Sequence, residues 1–115
     1  DKMSRNPQTQ VIKSGRSDVA LDTDFDGTST TVDLDGDRPV VGLAINLSTG
    51  ATLTFQAVVA GVDHKILASD GTELSIDAST NTEVYRFFPE LAGVRKLKIT
   101  ASASQTDATV YGFLA

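Results

Sequence analysis

Apolar and polar residues alternate along most of the chain after residue 30, with the period of two that is typical of β-strands. The clearest stretch is "RPVVGLAINLSTGATLTFQAVVA", from Arg38 to Ala60, where two alternating runs flank a Ser-Thr-Gly turn. We predict a central β-hairpin there, with a three-residue loop at 48–50 and Gly50 in the left-handed conformation. This register buries one face and pairs Leu47 with Ala51, Ile45 with Leu53, Leu43 with Phe55 and Val41 with Ala57.

A second hairpin is predicted where two apolar runs flank the Asp-Gly pair at 70–71. Its register places Leu67 opposite Leu74 and His64 opposite Asp77. Turns are also expected at Asp-Gly pairs 26–27 and 35–36. Further strands are predicted at 19–21, 30–34, 84–88, 94–103 and 108–115.

No stretch shows convincing helical periodicity, and Thr, Val and Ser are plentiful throughout. We therefore predict an all-β fold, a two-sheet antiparallel β-sandwich of jelly-roll-like type spanning residues 17–115. Residues 1–16 are polar and contain Pro7, so we expect them to form an extended N-terminal arm outside this domain.

Length and charge limit the function classes. At 115 residues the chain is one domain, and it contains no cysteine, so disulfides and thiolate metal sites are excluded. The net charge of −5 is segregated: residues 1–16 carry four cations against one acid, and residues 17–37 carry seven aspartates and no cation. An acidic chain without a basic surface is not expected to bind nucleic acid, and no apolar run is long enough to span a membrane.

A calcium site is one hypothesis for the stretch "DTDFDG". Asp22, Asp24 and Asp26 have the spacing of a calcium loop, and Asp33 stands at the twelfth position. However, no flanking helices are predicted, and the last acid is Asp where such loops prefer Glu. We interpret these residues as solvated acids and predict no metal ligands and no cofactor.

Catalytic chemistry is not indicated by the remaining candidates. A His64 and Asp77 pair on the polar face of a hairpin would lack the walled pocket that a Ser-His-Asp site needs. Glu73, Glu83 and Glu90 lie in separate segments, so no carboxylate pair for glycoside hydrolysis is predicted. We expect no enzyme. A sugar-stacking surface is an open alternative, with Tyr85, Phe87, Phe88 and Tyr111 as its candidate residues.

The segments "LDGDRPVVGLAINLSTGATLTFQAVVAGV", "DGTELSI" and "LAGVRKLKITASAS", within about residues 30–103, resemble small β-sandwich proteins of tailed-bacteriophage virions. This family includes capsid decoration or cement proteins, which sit on the assembled shell as oligomers, and accessory modules of tails and fibres. It has no catalytic motif.

The resemblance implies a structural virion protein located on the capsid surface. Its expected partners are the major capsid protein and further copies of itself in a homo-oligomer, with no nucleic acid and no membrane. The residues expected to bind the partner lie in the arm and are Lys2, Arg5, Val11, Ile12, Lys13 and Arg16. The alternative is a carbohydrate- or receptor-binding accessory module of a phage tail or of a secreted protein.

Overall fold

The computed structural model describes residues 18–34 and 38–114, which form seven strands. They are β1 (Asp18–Asp33), β2 (Val40–Asn46), β3 (Ala51–Val59), β4 (Val62–Lys65), β5 (Ser75–Ala78), β6 (Glu83–Phe87) and β7 (Lys96–Leu114). A single turn of 3-10 helix, Pro89–Leu91, connects β6 to β7. The all-β prediction is confirmed. The predicted arm, with its six partner-binding residues, and the predicted turn at 35–36 lie outside the described residues.

All seven strands join one antiparallel sheet that is organised around β7. The strand order is β4-β3-β7-β2-β6, with β1 added to β7 and β5 added to β3. The first part of β7 pairs with β3 and its last part pairs with β2. On its other edge, β7 pairs with β1 from Asp18, opposite Phe113, to Asp33, opposite Lys96. One long strand therefore connects all parts of the sheet.

The predicted central hairpin is wrong, because β2 and β3 do not pair with one another and each pairs with a different part of β7. The predicted faces are nevertheless largely right. Leu43, Ile45, Leu53 and Phe55 are completely buried. Alternation reports which side of a strand is buried, and it does not report which strand lies beside it.

Gly50 also differs from its prediction, because its φ is not positive. A Cβ atom at this position would overlap the carbonyl oxygen of Ser79. Glycine is needed here for the close approach of two backbone segments.

The second predicted hairpin is confirmed only at its turn, where the Ala68 N–H donates to the Thr72 carbonyl oxygen. Its longer strands are wrong, because β4 and β5 each pair with β3 and not with one another. His64 consequently lies opposite Ala57, and Asp77 lies opposite Thr52. In the connection between the two strands, Leu67 pairs with Glu73, one residue from the predicted register. This shift leaves Leu67 53% exposed.

Two interruptions predicted between strands do not occur, because the strands continue through them. The Asp-Gly pair at 26–27 lies inside β1, where the pairing with β7 is irregular and Gly27 has a φ of 89°. The two strands predicted at 94–103 and 108–115 are one strand, β7, in which Asp107 has a φ of 54°. A β-bulge accommodates such residues without ending the strand, so turn-forming sequences occur within both long strands.

One hydrophobic core lies beneath the curled sheet and contains residues from almost every element. Phe25 of β1, Phe55 of β3 and Phe88 after β6 are its largest fully buried side chains. The rings of Phe55 and Phe88 lie 5.1 Å apart, centroid to centroid. The described residues include no helix long and apolar enough to cross a membrane. The two-sheet, jelly-roll-like arrangement stays a prediction.

Candidate functional site

The outer face of β6, β2 and the last part of β7 carries an ordered set of aromatic side chains. Residues that lie directly opposite one another in antiparallel strands point to the same face. The three strands thus form three rows across this face: Phe87, Gly42 and Phe113; Tyr85, Ala44 and Tyr111; and Glu83, Asn46 and Thr109. We call the four aromatic residues of the first two rows the aromatic face.

The alternation of β2 explains why the aromatic face forms. Leu43 and Ile45 point into the core, so Gly42 and Ala44 must point outward. These small residues leave space above the middle strand for rings from both neighbours. A Cβ atom on Gly42 would lie only 3.1 Å from the Tyr85 hydroxyl oxygen, so the tyrosine leans over this glycine.

Tyr85 reaches across β2 and contacts Phe113. The two ring centroids are 4.8 Å apart and the rings are nearly perpendicular, at 88°. This edge-to-face arrangement is favourable for aromatic pairs, and it holds Tyr85 in place although most of its ring is in solvent.

The aromatic face is exposed to a degree that requires an explanation. Tyr85 is 58% exposed and Phe87 is 59% exposed, while Tyr111 and Phe113 are half-buried. Single exposed apolar residues are common on protein surfaces, but contiguous groups of them mark interaction sites. The clustering of rings from β6 and β7 therefore makes this face the strongest binding candidate among the described residues.

Polar groups border the aromatic face on one side. Asn46 Nδ2 donates a hydrogen bond of 3.1 Å to Thr109 Oγ1. At the start of β6 an open depression of about 410 Å³ adjoins Tyr85. Its lining residues are Thr80, Asn81, Thr82, Glu83, Val84 and Tyr85. A ligand on the rings would thus meet hydroxyl, amide and carboxylate groups within the same site.

Three of the four aromatic residues, Tyr85, Phe87 and Tyr111, were predicted from the sequence. Phe113 was not, although it follows Tyr111 by two residues and so shares its face. Phe88 was predicted wrongly, because it is fully buried. The Arg86 guanidinium lies 5.0 Å from the centre of the Phe88 ring, on the other side of the sheet from Tyr85.

A second group of side chains forms where β1 and β7 are irregular. One carboxylate oxygen from each of Asp24, Asp26 and Asp107 lies within 4.8 Å of the others, and all three residues are exposed. The backbone N–H of Asp107 donates to Asp26 Oδ1 at 2.9 Å. We call these three residues the acidic cluster. They offer oxygen ligands of the kind that hard cations such as calcium prefer.

The acidic cluster differs from the calcium loop considered in the sequence. Asp22 accepts hydrogen bonds from the Thr30 hydroxyl and from the backbone N–H of Asp24. Asp33 lies at the other end of β1, where its carboxylate is 3.7 Å from Lys96 Nζ. Only Asp24 and Asp26 of the four candidates enter the cluster. Asp107 was missed because it is distant in the sequence and is brought in only by the pairing of β1 with β7.

The acidic cluster should make stability depend on pH. Hydrogen bonding to Asp107 and Asp26, together with their negative charge, raises the pKa of Asp24 to about 6, from 3.8. An acid whose pKa is higher in the folded protein destabilises the fold once it is ionised. We therefore expect protonated Asp24 to contribute to the stability of the fold at low pH. This contribution should be lost progressively as the pH rises from about 4 to about 6. Asp24→Asn should remove this component, which chemical denaturation at several pH values would measure.

Asp70 provides a control, because its effect on stability should have the opposite pH dependence. Hydrogen bonds from the Thr72 hydroxyl and backbone N–H lower the pKa of Asp70, so its contribution is lost as the pH falls. Asp70→Asn should therefore reduce stability at neutral pH, where Asp24→Asn increases it. Equal pH profiles for the parent protein and Asp24→Asn would contradict the interaction between the clustered carboxylates.

Comparison with known proteins gives a fold and no family. No protein-family model matches the sequence, and no curated protein matches it significantly. A provisionally assigned alpha-L-fucosidase from Bacteroides thetaiotaomicron has a similar structure, with a TM-score of 0.55 and 13% identity over 94% of this chain. The carbohydrate-binding module TmCBM61, in complex with beta-1,4-galactotriose, is 15% identical over 86% of this chain and 65% of its own, with a TM-score of 0.27. The chain spans 25% of the length of the fucosidase, and at this identity the likeness concerns the β-fold alone.

Proposed function

We propose that this chain is a non-catalytic binding domain that recognises carbohydrate through the aromatic face. The observation that carries the proposal is the placement of Tyr85, Phe87, Tyr111 and Phe113 around the small residues of β2. It corresponds to the alternative drawn from the sequence, a carbohydrate-binding accessory module. The likeness to part of a longer chain is compatible with an accessory role, but the proposal rests on the side chains.

Sugar rings and this surface have complementary chemistry. A pyranose has a face of C–H groups and a rim of hydroxyls, so it can stack on an aromatic ring while its rim forms hydrogen bonds. Tyr85 and Phe87 supply exposed rings, and Asn46 and Thr109 supply polar groups in the adjacent row. Small-molecule sites usually combine an apolar surface with a small number of polar groups.

The architecture that would support this face is the two-layer, jelly-roll-like one predicted from the sequence. We include it in the proposal because β7 pairs first with β3 and then with β2, while both ends contribute to a single core. In such an arrangement the inner faces of both strand groups pack together. The outer face of β2 and β6 is then free for a ligand.

The capsid-decoration role is a separate proposal, for which the described residues provide no specific support. Its partner-binding residues all belong to residues 1–16. Accessory modules of phage tails and of secreted proteins both bind glycans, so the aromatic face is compatible with either setting.

Removal of one exposed ring should abolish most of the binding. We expect Tyr85→Ala to weaken binding of the best glycan by about fivefold or more, because stacking contributes roughly 1 kcal/mol or more per ring. Tyr85→Phe should retain most of the affinity, since the ring remains. A glycan array would identify the ligand, and isothermal titration calorimetry would measure the dissociation constants.

Val62→Ala is the matched control, because Val62 is also exposed but lies on β4, away from the aromatic face. It should bind as the parent does. Thermal melting of Tyr85→Ala should confirm that the fold is retained, as expected for a largely exposed side chain. The proposal fails if no glycan binds, or if Tyr85→Ala binds as tightly as the parent.

A further inference from the structure

The angle between the rings restricts the form of the ligand. Tyr85 and Phe113 are in contact but nearly perpendicular, at 88°. Two perpendicular rings cannot both lie flat against one planar surface. This pair therefore offers one ring face, and not two, to the flat surface of packed polysaccharide chains, and it suits a single chain that places one sugar ring on Tyr85.

The depression beside Tyr85 provides space for a neighbouring sugar. It opens at the start of β6, and its lining includes three polar residues that precede Tyr85 along the chain, Thr80, Asn81 and Thr82. Their hydroxyl and amide groups can donate and accept hydrogen bonds with sugar hydroxyls. A chain of at least two sugars would use both the ring and the depression.

The charges around the face restrict the chemistry of the ligand. Glu83 lies on β6 two residues before Tyr85 and so shares its face. Asp18 of β1 lies opposite Phe113 of β7. Both acidic residues are exposed. The described positions that share this face on β2, β6, the last part of β7 and the β1 residues paired with it include no lysine or arginine, and the outward Lys96 and Lys98 lie at the other end of β7. A carboxylated or sulfated glycan would meet negative charge at two sides of the aromatic face, with no compensating cation among the described residues of these strand segments.

From these three observations we infer that the aromatic face binds single, hydrated chains of uncharged sugars and discriminates against acidic polysaccharides. This inference rests on the proposed carbohydrate-binding function and specifies its ligand class. Tyr85 stacks on one sugar, the depression at 80–83 holds the next, and Glu83 and Asp18 repel carboxylated or sulfated chains. Like charges brought together at a binding site are a common means of excluding wrong partners.

The inferred exclusion of acidic glycans is tested with polymer pairs that share a backbone: hydroxyethyl cellulose with carboxymethyl cellulose, and carboxyl-reduced polygalacturonate with polygalacturonate itself. Affinity electrophoresis would compare them. For the pair whose neutral member binds, we expect the acidic member to bind about tenfold more weakly. Added salt should narrow this difference by screening the repulsion. Glu83→Gln and Asp18→Asn should each narrow it at low salt, whereas Glu73→Gln, remote in the β4–β5 connection, should not.

The inferred preference for single, hydrated sugar chains is tested by varying the length and the solubility of the ligand. Binding of the soluble oligosaccharide should strengthen from one sugar to two or three, and Asn81→Ala should remove much of that gain. Equal affinity for acidic and neutral polymers, or binding only to an insoluble flat form such as microcrystalline cellulose, would overturn the inference while carbohydrate binding stands. Absence of binding to every glycan would instead overturn the proposed function.

Discussion

Phe55→Ala is expected to lower the free energy of unfolding by about 3–5 kcal/mol. Phe55 is fully buried at the centre of β3, lies opposite Ile99 of β7, and packs its ring against Phe88. Truncation would leave a cavity between the sheet and the segment after β6, and well-packed surroundings collapse only partly into such a space. Urea denaturation, followed by tyrosine fluorescence or circular dichroism, measures the loss.

Two further variants make this prediction decisive. Val59→Ala changes the same strand at a position that is 58% exposed, and it should cost less than about 1 kcal/mol. Phe55→Leu should cost less than Phe55→Ala, and it provides a measurable value if the alanine variant does not fold. If Phe55→Ala and Val59→Ala have equal effects, Phe55 is not at the centre of the core.

The buried faces could be read from the sequence because side chains alternate strictly along a strand. Leu43, Ile45, Leu53 and Phe55 were assigned to the core in this way. The neighbouring strands could not be read from the same pattern. An alternating strand is satisfied by any partner that buries its apolar face, and a short loop does not require the two strands that it joins to pair with one another.

The candidate sites were predictable to the extent that their residues are close in sequence. Tyr85 and Phe87 alternate on one strand, so their common exposure follows from the period of two. Their proximity to Phe113 depends on the pairing of β7 with β2, which no local sequence signal indicates. The same reason explains Asp107, which reaches Asp24 only through the pairing of two long strands.

A buried glutamine was the least predictable feature. Gln105 lies in the polar run "SASQTDA", which resembles a loop, yet it is only 2% exposed. Its side-chain oxygen accepts hydrogen bonds from the backbone N–H groups of Ser48 and Thr49, at 2.9 and 3.0 Å. Its amide nitrogen donates to the carbonyl oxygens of Thr49 and Ala103, at 2.8 and 3.0 Å. Gln105 thus binds the β2–β3 connection to the middle of β7.

Gln105→Leu should therefore destabilise the protein by about 2–4 kcal/mol, although it fills a similar volume with apolar atoms. The loss is expected because backbone N–H and C=O groups of residues 48 and 49 would lose the hydrogen bonds that the buried Gln105 side chain provides. Hydrogen exchange should show faster exchange of the Ser48 and Thr49 amides, and chemical denaturation should give the magnitude.

Gln105→Glu separates the two halves of the interaction, since it keeps the acceptor and loses the donor. Thr106→Ala, at the adjacent exposed position, is the control and should be nearly neutral. If Gln105→Leu is as stable as the parent, water satisfies the loop and the glutamine does not hold it to β7.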